Sequence, residues 1–241
     1  MATVFIPDAG VPVDFSECDF IDFGEEGLTA IGANFHPQTL LNAYANGLFP
    51  WYIYEGLPHW YSPDPRMILL PGHLRISKSM RNVFNQHKYR VTCDTAFTSV
   101  IESCAQVKRK NEDSTWINQH FIDAYARLHG YGYAHSFEAW QGDRLVGGLY
   151  GVGIGEVFFG ESMFSFLPNA SKAAFISAVR FLSLHEFKMI DCQVYTDHLS
   201  SLGAIPLNRH DFYRLLITHV QPRSLNGINW SELFDRINKQ V

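Results

Sequence analysis

Gly160-Glu161-Ser162-Met163-Phe164-Ser165 and, one helix later, Ile190-Asp191-Cys192-Gln193-Val194 decide how this chain is read. Each is a short apolar run carrying an acid or an amide, the pattern of a buried strand. Side chains alternate across a strand, so Glu161, Met163 and Ser165 are expected on one face and Ser162 and Phe164 on the other. By the same rule Asp191, Gln193 and Tyr195 share a face. A carboxylate in an apolar strand is costly unless it is paired or hydrogen-bonded. One such acid is most simply a structural hydrogen bond inside a core; two acids and an amide on neighbouring strands point to one shared polar site.

Outward from these strings the strand period covers residues 134–140, 144–152 and 156–165, with Gln141-Gly142-Asp143 as a turn. This predicts an antiparallel meander. A helix over 169–186, with Ala170, Ala173, Ala174, Val179 and Leu182 for packing, then leads into a strand over 188–195. Upstream, 36–46 reads as a helix stopped by Gly47, and the aromatic, proline-rich run 49–65 as loop and short strand. Ser77 can cap a helix with Met80, Val83 and Phe84 on one face and Lys78 and Arg81 opposite. Asp94 is expected to cap the next helix, to about Gln106, and 118–129 forms another, ended by Gly130.

A chain of 241 residues, 46% hydrophobic, can bury a full core, as one large domain or as a domain with a smaller partner. The N-terminal stretch lacks the basic region and apolar core of a secretory signal, and no later stretch approaches a charge-free span, so a cytoplasmic protein without membrane association is expected. Cys18, Cys93, Cys104 and Cys192 are scattered, which indicates neither a zinc site nor a disulfide framework.

The net charge of −5 hides an asymmetry: residues 1–65 hold nine acids and no Lys or Arg, or −9, which leaves +4 for the rest. This break divides the chain into a small acidic, aromatic-rich N-terminal domain, 1–65, and a larger domain, 66–241. Overall acidity argues against a protein that coats nucleic acid, but binding follows the local field. Between His73 and Arg90 lie Arg75, Lys78, Arg81, Lys88 and Arg90 without one acid, and Lys108-Arg109-Lys110 adds a second cluster.

The two opening strings, with Phe49-Pro50-Trp51-Tyr52, Trp60-Tyr61-Ser62-Pro63-Asp64-Pro65-Arg66, Gly147-Gly148-Leu149-Tyr150-Gly151 and Asn169-Ala170-Ser171-Lys172, resemble the bacterial leucyl/phenylalanyl-tRNA–protein transferase family. The matches run in order from about residue 27 to about residue 215. No single one is specific, but jointly they are. The resemblance implies an α/β (α+β) chain, with a GCN5-related acyltransferase-like C-terminal domain behind a smaller N-terminal one. Ordinary members of that fold cradle acyl-CoA pyrophosphate in a glycine-rich turn at a helix start. The corresponding Phe166-Leu167-Pro168-Asn169-Ala170-Ser171-Lys172 has no glycine, so the physical basis for CoA is missing.

What the resemblance implies instead is an aminoacyl-tRNA donor carrying leucine, phenylalanine or, less readily, methionine. The acceptors it implies are proteins with N-terminal Lys or Arg, which the transfer marks for degradation. The ester is already activated, so the chemistry requires no metal and no dissociable cofactor; positioning and charge stabilisation carry the rate. Matching positions assign the acceptor amine to catalytic Gln193, with Asp191 and Glu161 as the carboxylates that take or relay its proton. Both carboxylates would also suit a cationic acceptor side chain.

Trp51 and Trp116 are candidates for stacking on the terminal adenine. Leu149 and Met163 are candidate walls of an apolar pocket, and Ser165 and Tyr44 further substrate-binding candidates. Leu149 stands where a methionine is common in the family. Arg75, Lys78 and Arg81 are candidates for tRNA phosphates. A monomer is expected, since neither a coiled coil nor a dimer strand is evident. Two other readings stay open on sequence alone: a tRNA-dependent transferase acting on a cell-wall peptide or small amine, and a non-catalytic binder of tRNA or protein N-termini.

Overall fold

The computed structural model describes residues 3–17, 27–107, 117–221 and 228–238. The elements, in chain order, begin with β1 (Val4–Ile6), β2 (Leu28–Gly32), α1 (Pro37–Ala45), β3 (Phe49–Tyr54), β4 (Leu57–Tyr61), β5 (Arg66–Leu69) and α2 (Lys78–Asn85). Next come β6 (Arg90–Cys93), α3 (Phe97–Gln106), α4 (Gln119–Gly130), β7 (Ala134–Gln141), β8 (Arg144–Ile154), β9 (Val157–Ser165) and α5 (Ala170–Leu184). The chain ends with β10 (Met189–Gln193), α6 (Asp197–Ser201), β11 (Ile205–Leu207), α7 (Arg209–His219) and α8 (Trp230–Asn238).

Among the described residues the strands form a four-stranded sheet, β1-β2-β4-β3, and a seven-stranded sheet, β11-β5-β10-β9-β8-β7-β6. The predicted meander is present: β7, β8 and β9 pair antiparallel, and α5 carries the chain over to β10, which lies parallel to β9. Gly147 lets α5 close on the sheet, since a Cβ there would fall 2.6 Å from the Ala170 Cβ. Residues such as Tyr44, Trp60, Phe121, Tyr150 and Phe159 pack into one apolar cluster that reaches from the small sheet to the near face of the large one. A second cluster, including Phe137, Leu149, Ala174 and Ile190, lies under α5.

The cap expected at Ser77 forms, and Asn118, expected as the first residue of its helix, is a cap as well. Ser77 accepts from Met80 N at the start of α2, with Met80 and Val83 buried, and Asn118 accepts from His120 N and Phe121 N at the start of α4. Asp94 does not cap α3, whose first turn follows Ala96 without a side-chain cap. Its carboxylate is taken by β7 instead, accepting from Ser136 N and lying 2.8 Å from His135 Nδ1. The proline-rich run is also more regular than expected. β3 and β4 form an antiparallel hairpin, in which Pro50 is tolerated because β3 is the sheet edge. Cys93, Cys104 and Cys192 are buried free thiols; Cys18 lies outside the described residues.

Candidate active site

The site is created where the large sheet parts. The parallel ladder of β9 and β10 ends at Phe159 and Asp191, while β9 runs on beside β8 to Ser165. Gly160 to Ser165 on one side and Cys192 to Val194 on the other line the resulting cavity of about 480 Å³. That volume falls within the roughly 300–1,000 Å³ typical of small-molecule sites. Leu149, Met163, Phe175, Ile190 and Cys192 give it an apolar wall, and Phe49, Pro50 and Trp51 join from the edge of the small sheet.

Two bulges set the polar groups, and they overturn the simple alternation expected of both strings. Opposite β8, Tyr150 pairs with Ser162 and Gly151 with Gly160, so Glu161 is the extra residue. Its side chain reaches Tyr125 of α4, whereas Met163, opposite Leu149, packs with the cluster under α5. Glu161 and Met163 therefore do not share a face. In β10 the extra residue is Cys192, and Gln193 takes a left-handed φ of 62°. Asp191 Oδ1 accepts the Gln193 N–H at 2.9 Å and so holds that unfavourable conformation. Tyr195 lies past the strand end, 60% exposed, and is not on a common face with Asp191 and Gln193.

The network that results joins Gln193 to Glu161. Gln193 Nε2 donates to Glu161 Oε1 at 2.8 Å, and Tyr125 Oη donates to Glu161 Oε2 at 2.8 Å. Tyr44 and Tyr125 share a short hydroxyl–hydroxyl bond. Burial pushes the Glu161 carboxyl from 4.5 up to about 7; Asp191 adds to the rise, while the tyrosine hydroxyls and Arg66 oppose it. Burial likewise holds both tyrosine hydroxyls well above their usual range, so they serve as donors. Tyr44 is fully buried behind Glu161 and lies outside the cavity wall, which corrects its expected place against substrate.

Asp191 is also set back from the cavity. It is fully buried and receives Arg66 Nε on Oδ1 at 2.8 Å and Arg66 Nη2 on Oδ2 at 2.7 Å. The Arg66 guanidinium in turn lies between the Phe49 and Phe212 rings, 4.7 and 4.8 Å from their centroids. Asp191 thus holds the Gln193 backbone from behind and is not among the residues that line the cavity. Neither Arg66, quoted only within a motif and at the charge break, nor Tyr125 was given a role in the site from sequence. Both lie far along the chain from their partners, and only the distant acid itself could have signalled them.

Of the other candidates, Trp51, Leu149, Met163 and Ser165 line the cavity. Trp51 sits at a bulge in edge strand β3 rather than in a loop, its ring edge-on to Tyr61 at 5.0 Å. Ser165 Oγ donates to Leu167 O and accepts Ser171 N, fastening the start of α5. Arg75, Lys78 and Arg81 are exposed and form no ion pair among the described residues. Trp116 and Lys108 to Lys110 lie outside the described residues. Among the described residues no cluster of three or more His, Cys, Asp or Glu side chains is placed to hold a metal ion, and no helix is long and apolar enough to cross a membrane.

The family model described as leucyl/phenylalanyl-tRNA protein transferase matches residues 68–217, and that of its N-terminal domain matches 33–64. The chain belongs to the leucyl/phenylalanyl-tRNA–protein transferase family. A transferase of that name from Anaeromyxobacter sp. (strain Fw109-5) is 46% identical over 215 residues, covering 89% of this chain and 91% of the relative. One from Solidesulfovibrio magneticus is 50% identical over 190 residues, covering 79% and 77%. Among solved structures, L-PGS from Bacillus licheniformis matches with 12% identity over 71% of this chain and 56% of that one, at a TM-score of 0.41. An aminoglycoside acetyltransferase from an uncultured soil metagenomic sample matches with 14% identity over 61% and 97%, at 0.36. As a member of this family the transferase is an aminoacyltransferase, and Glu161 and Gln193 of the polar network lie at the wall of the cavity.

Proposed function

We propose that this transferase moves leucine, phenylalanine and, less readily, methionine from tRNA to the α-amino group of proteins beginning with Lys or Arg. The new peptide bond marks those proteins for degradation. The reading is supported by the family match together with one observation, the bond from Gln193 Nε2 to Glu161 Oε1 at the cavity wall. With its NH₂ end turned to Glu161, the Gln193 amide has its Oε1 to accept a hydrogen bond from the incoming amine. An amide is too weak a base to keep the proton. Glu161, held near 7, is suited to exchange one with the amine as the tetrahedral intermediate forms and collapses. The apolar wall with Leu149 and Met163 would receive the donor side chain, and Trp51 the terminal adenine.

The break near Arg66 is kept as a proposed domain boundary. The small sheet ends at Tyr61 and β5 of the large sheet begins at Arg66, although their apolar core is continuous. A cytoplasmic monomer is proposed on the same footing. The deciding assay supplies labelled leucyl-tRNA with model proteins starting with Arg, Lys or Ala. Label on the Arg and Lys proteins is the expected result; label on the Ala protein alone, or on none, overturns the reading.

A further inference from the structure

A cationic first residue on the acceptor needs a counter-charge, and the two carboxylates that the sequence offered for it are already engaged. Asp191 gives both oxygens to Arg66 and one of them again to the Gln193 backbone. Glu161 receives Gln193 on one oxygen and Tyr125 on the other. Among the described lining residues Glu161 is also the sole carboxylate, and with a donor on each of its oxygens it leaves a counter-charge to be sought at the rim.

The rim segment supplies an acid. Gln193, Val194 and Thr196 line the cavity, as does His198, and Asp197 stands between the last two. Asp197 is exposed and makes no ion pair among the described residues. Its Oδ1 accepts the Tyr195 hydroxyl at 2.8 Å, which ties the carboxylate to a ring that is 60% exposed. A long stem ending in an ammonium or guanidinium group calls for this pairing, a ring face to lie along and a carboxylate at its end. Full extension puts the Asp197 Cα within about 13–14 Å of that of Gln193. The other charge felt at this rim is Lys172, which together with burial lowers the pKa of His198.

We propose that Asp197, with the ring of Tyr195, seats the side chain of the acceptor's N-terminal Lys or Arg and sets that specificity. The assignment rests on the acceptor class proposed above. An aspartate in the first turn of α6 also favours the positive helix end, but that role is blind to the acceptor's charge.

The test uses the whole enzyme, leucyl-tRNA and peptides identical except for a first residue of Arg, Lys or citrulline, the neutral isostere of Arg. If the wild type takes citrulline as readily as Arg, the proposed acceptor class fails and this assignment goes with it. Given a wild-type preference, Asp197→Asn should raise the KM for Arg and Lys peptides about fivefold to tenfold, between the loss of an exposed ion pair and of a charge-assisted hydrogen bond. The KM for the citrulline peptide and for leucyl-tRNA should hold. Asp197→Glu should restore the preference, and Tyr195→Leu should weaken it, which keeps the test open if Asp197→Asn folds poorly. An Arg-to-citrulline ratio unchanged in Asp197→Asn, or in Tyr195→Leu and Asp197→Lys, overturns the assignment.

Discussion

Arg66 grips Asp191 through two hydrogen bonds of 2.8 and 2.7 Å, tying β5 to β10 across 125 residues of chain with both side chains shut from solvent. Breaking one partner leaves an uncompensated buried charge, at a cost of about 3–5 kcal/mol. Asp191→Ala should therefore destabilise the protein by that amount in urea unfolding. It should also depress transfer further than Gln193→Ala, since it removes the hold on Gln193 as well. Joint replacement of Arg66 and Asp191 by apolar residues should cost less than the sum of the two single changes. Strict additivity would mean the pair is not coupled.

Glu161 gives the protein a pH signature with two opposite signs. Its native pKa of about 7 lies above the ordinary 4.5, so the folded state binds the extra proton between those values. The stability it contributes is complete below about pH 4.5 and is lost as pH rises through about 7. At about 1.4 kcal/mol per unit of pKa, the decline amounts to a few kcal/mol at most. Glu161→Gln cannot ionise and should level this slope, read from urea unfolding at about pH 5 and about pH 8. Activity should run the other way. The ionised carboxylate is the form that takes two hydrogen bonds and fixes Gln193, so kcat/KM should climb through pH about 7. The acceptor amine, with a pKa of about 7.7–8.0, adds a second limb that should survive in Glu161→Gln. A wild-type profile with the amine limb alone would remove the Glu161 charge from the reaction.

The meander, α5 and β10 were legible because alternation and helix period are local, and Ser77 was legible as a cap because its bond reaches only three residues along. The bulges at Glu161 and Cys192 were not. An extra residue is fixed by the register against β8 and β5, which a strand's own pattern does not contain. The same limit hid Tyr125 and Arg66, which reach the site from α4 and β5. Asp94 shows the converse, a good cap by its spacing that tertiary bonds to β7 claimed first. Two acids and an amide in apolar strands pointed to one polar network, and Glu161, Asp191 and Gln193 do join in one beside the cavity, but how they are held needed the partners.

Trp51 lines the cavity from an edge strand, half-buried, with Tyr61 supporting its ring from the side at 5.0 Å. If it stacks on the terminal adenine, Trp51→Ala should weaken donor binding by about 1–3 kcal/mol. The same loss should appear with a short aminoacyl-adenosine analogue and with whole tRNA, measured by direct titration. A loss confined to whole tRNA would move Trp51 off the adenine.

Lys78 and Arg81 project from α2 on the side away from buried Met80 and Val83, with Arg75 just before the helix. A solvated helix face would look alike, and so would one that pairs with the acidic N-terminal segment. No such pairing is present among the described residues, and five bases without an acid between His73 and Arg90 make a local positive field in a chain of net charge −5. Phosphate contact through such side chains carries no sequence information. Replacing Lys78 and Arg81 by Glu should therefore weaken leucyl-tRNA and phenylalanyl-tRNA alike and reduce the slope of log K against log salt by about 1–2, near one unit per lost contact. Transfer from a minimal aminoacyl-adenosine, which has no tRNA body to reach α2, should persist. Whole tRNA bound with unchanged affinity and salt slope would make α2 an ordinary solvated face and send the search for the docking surface to Lys108 to Lys110.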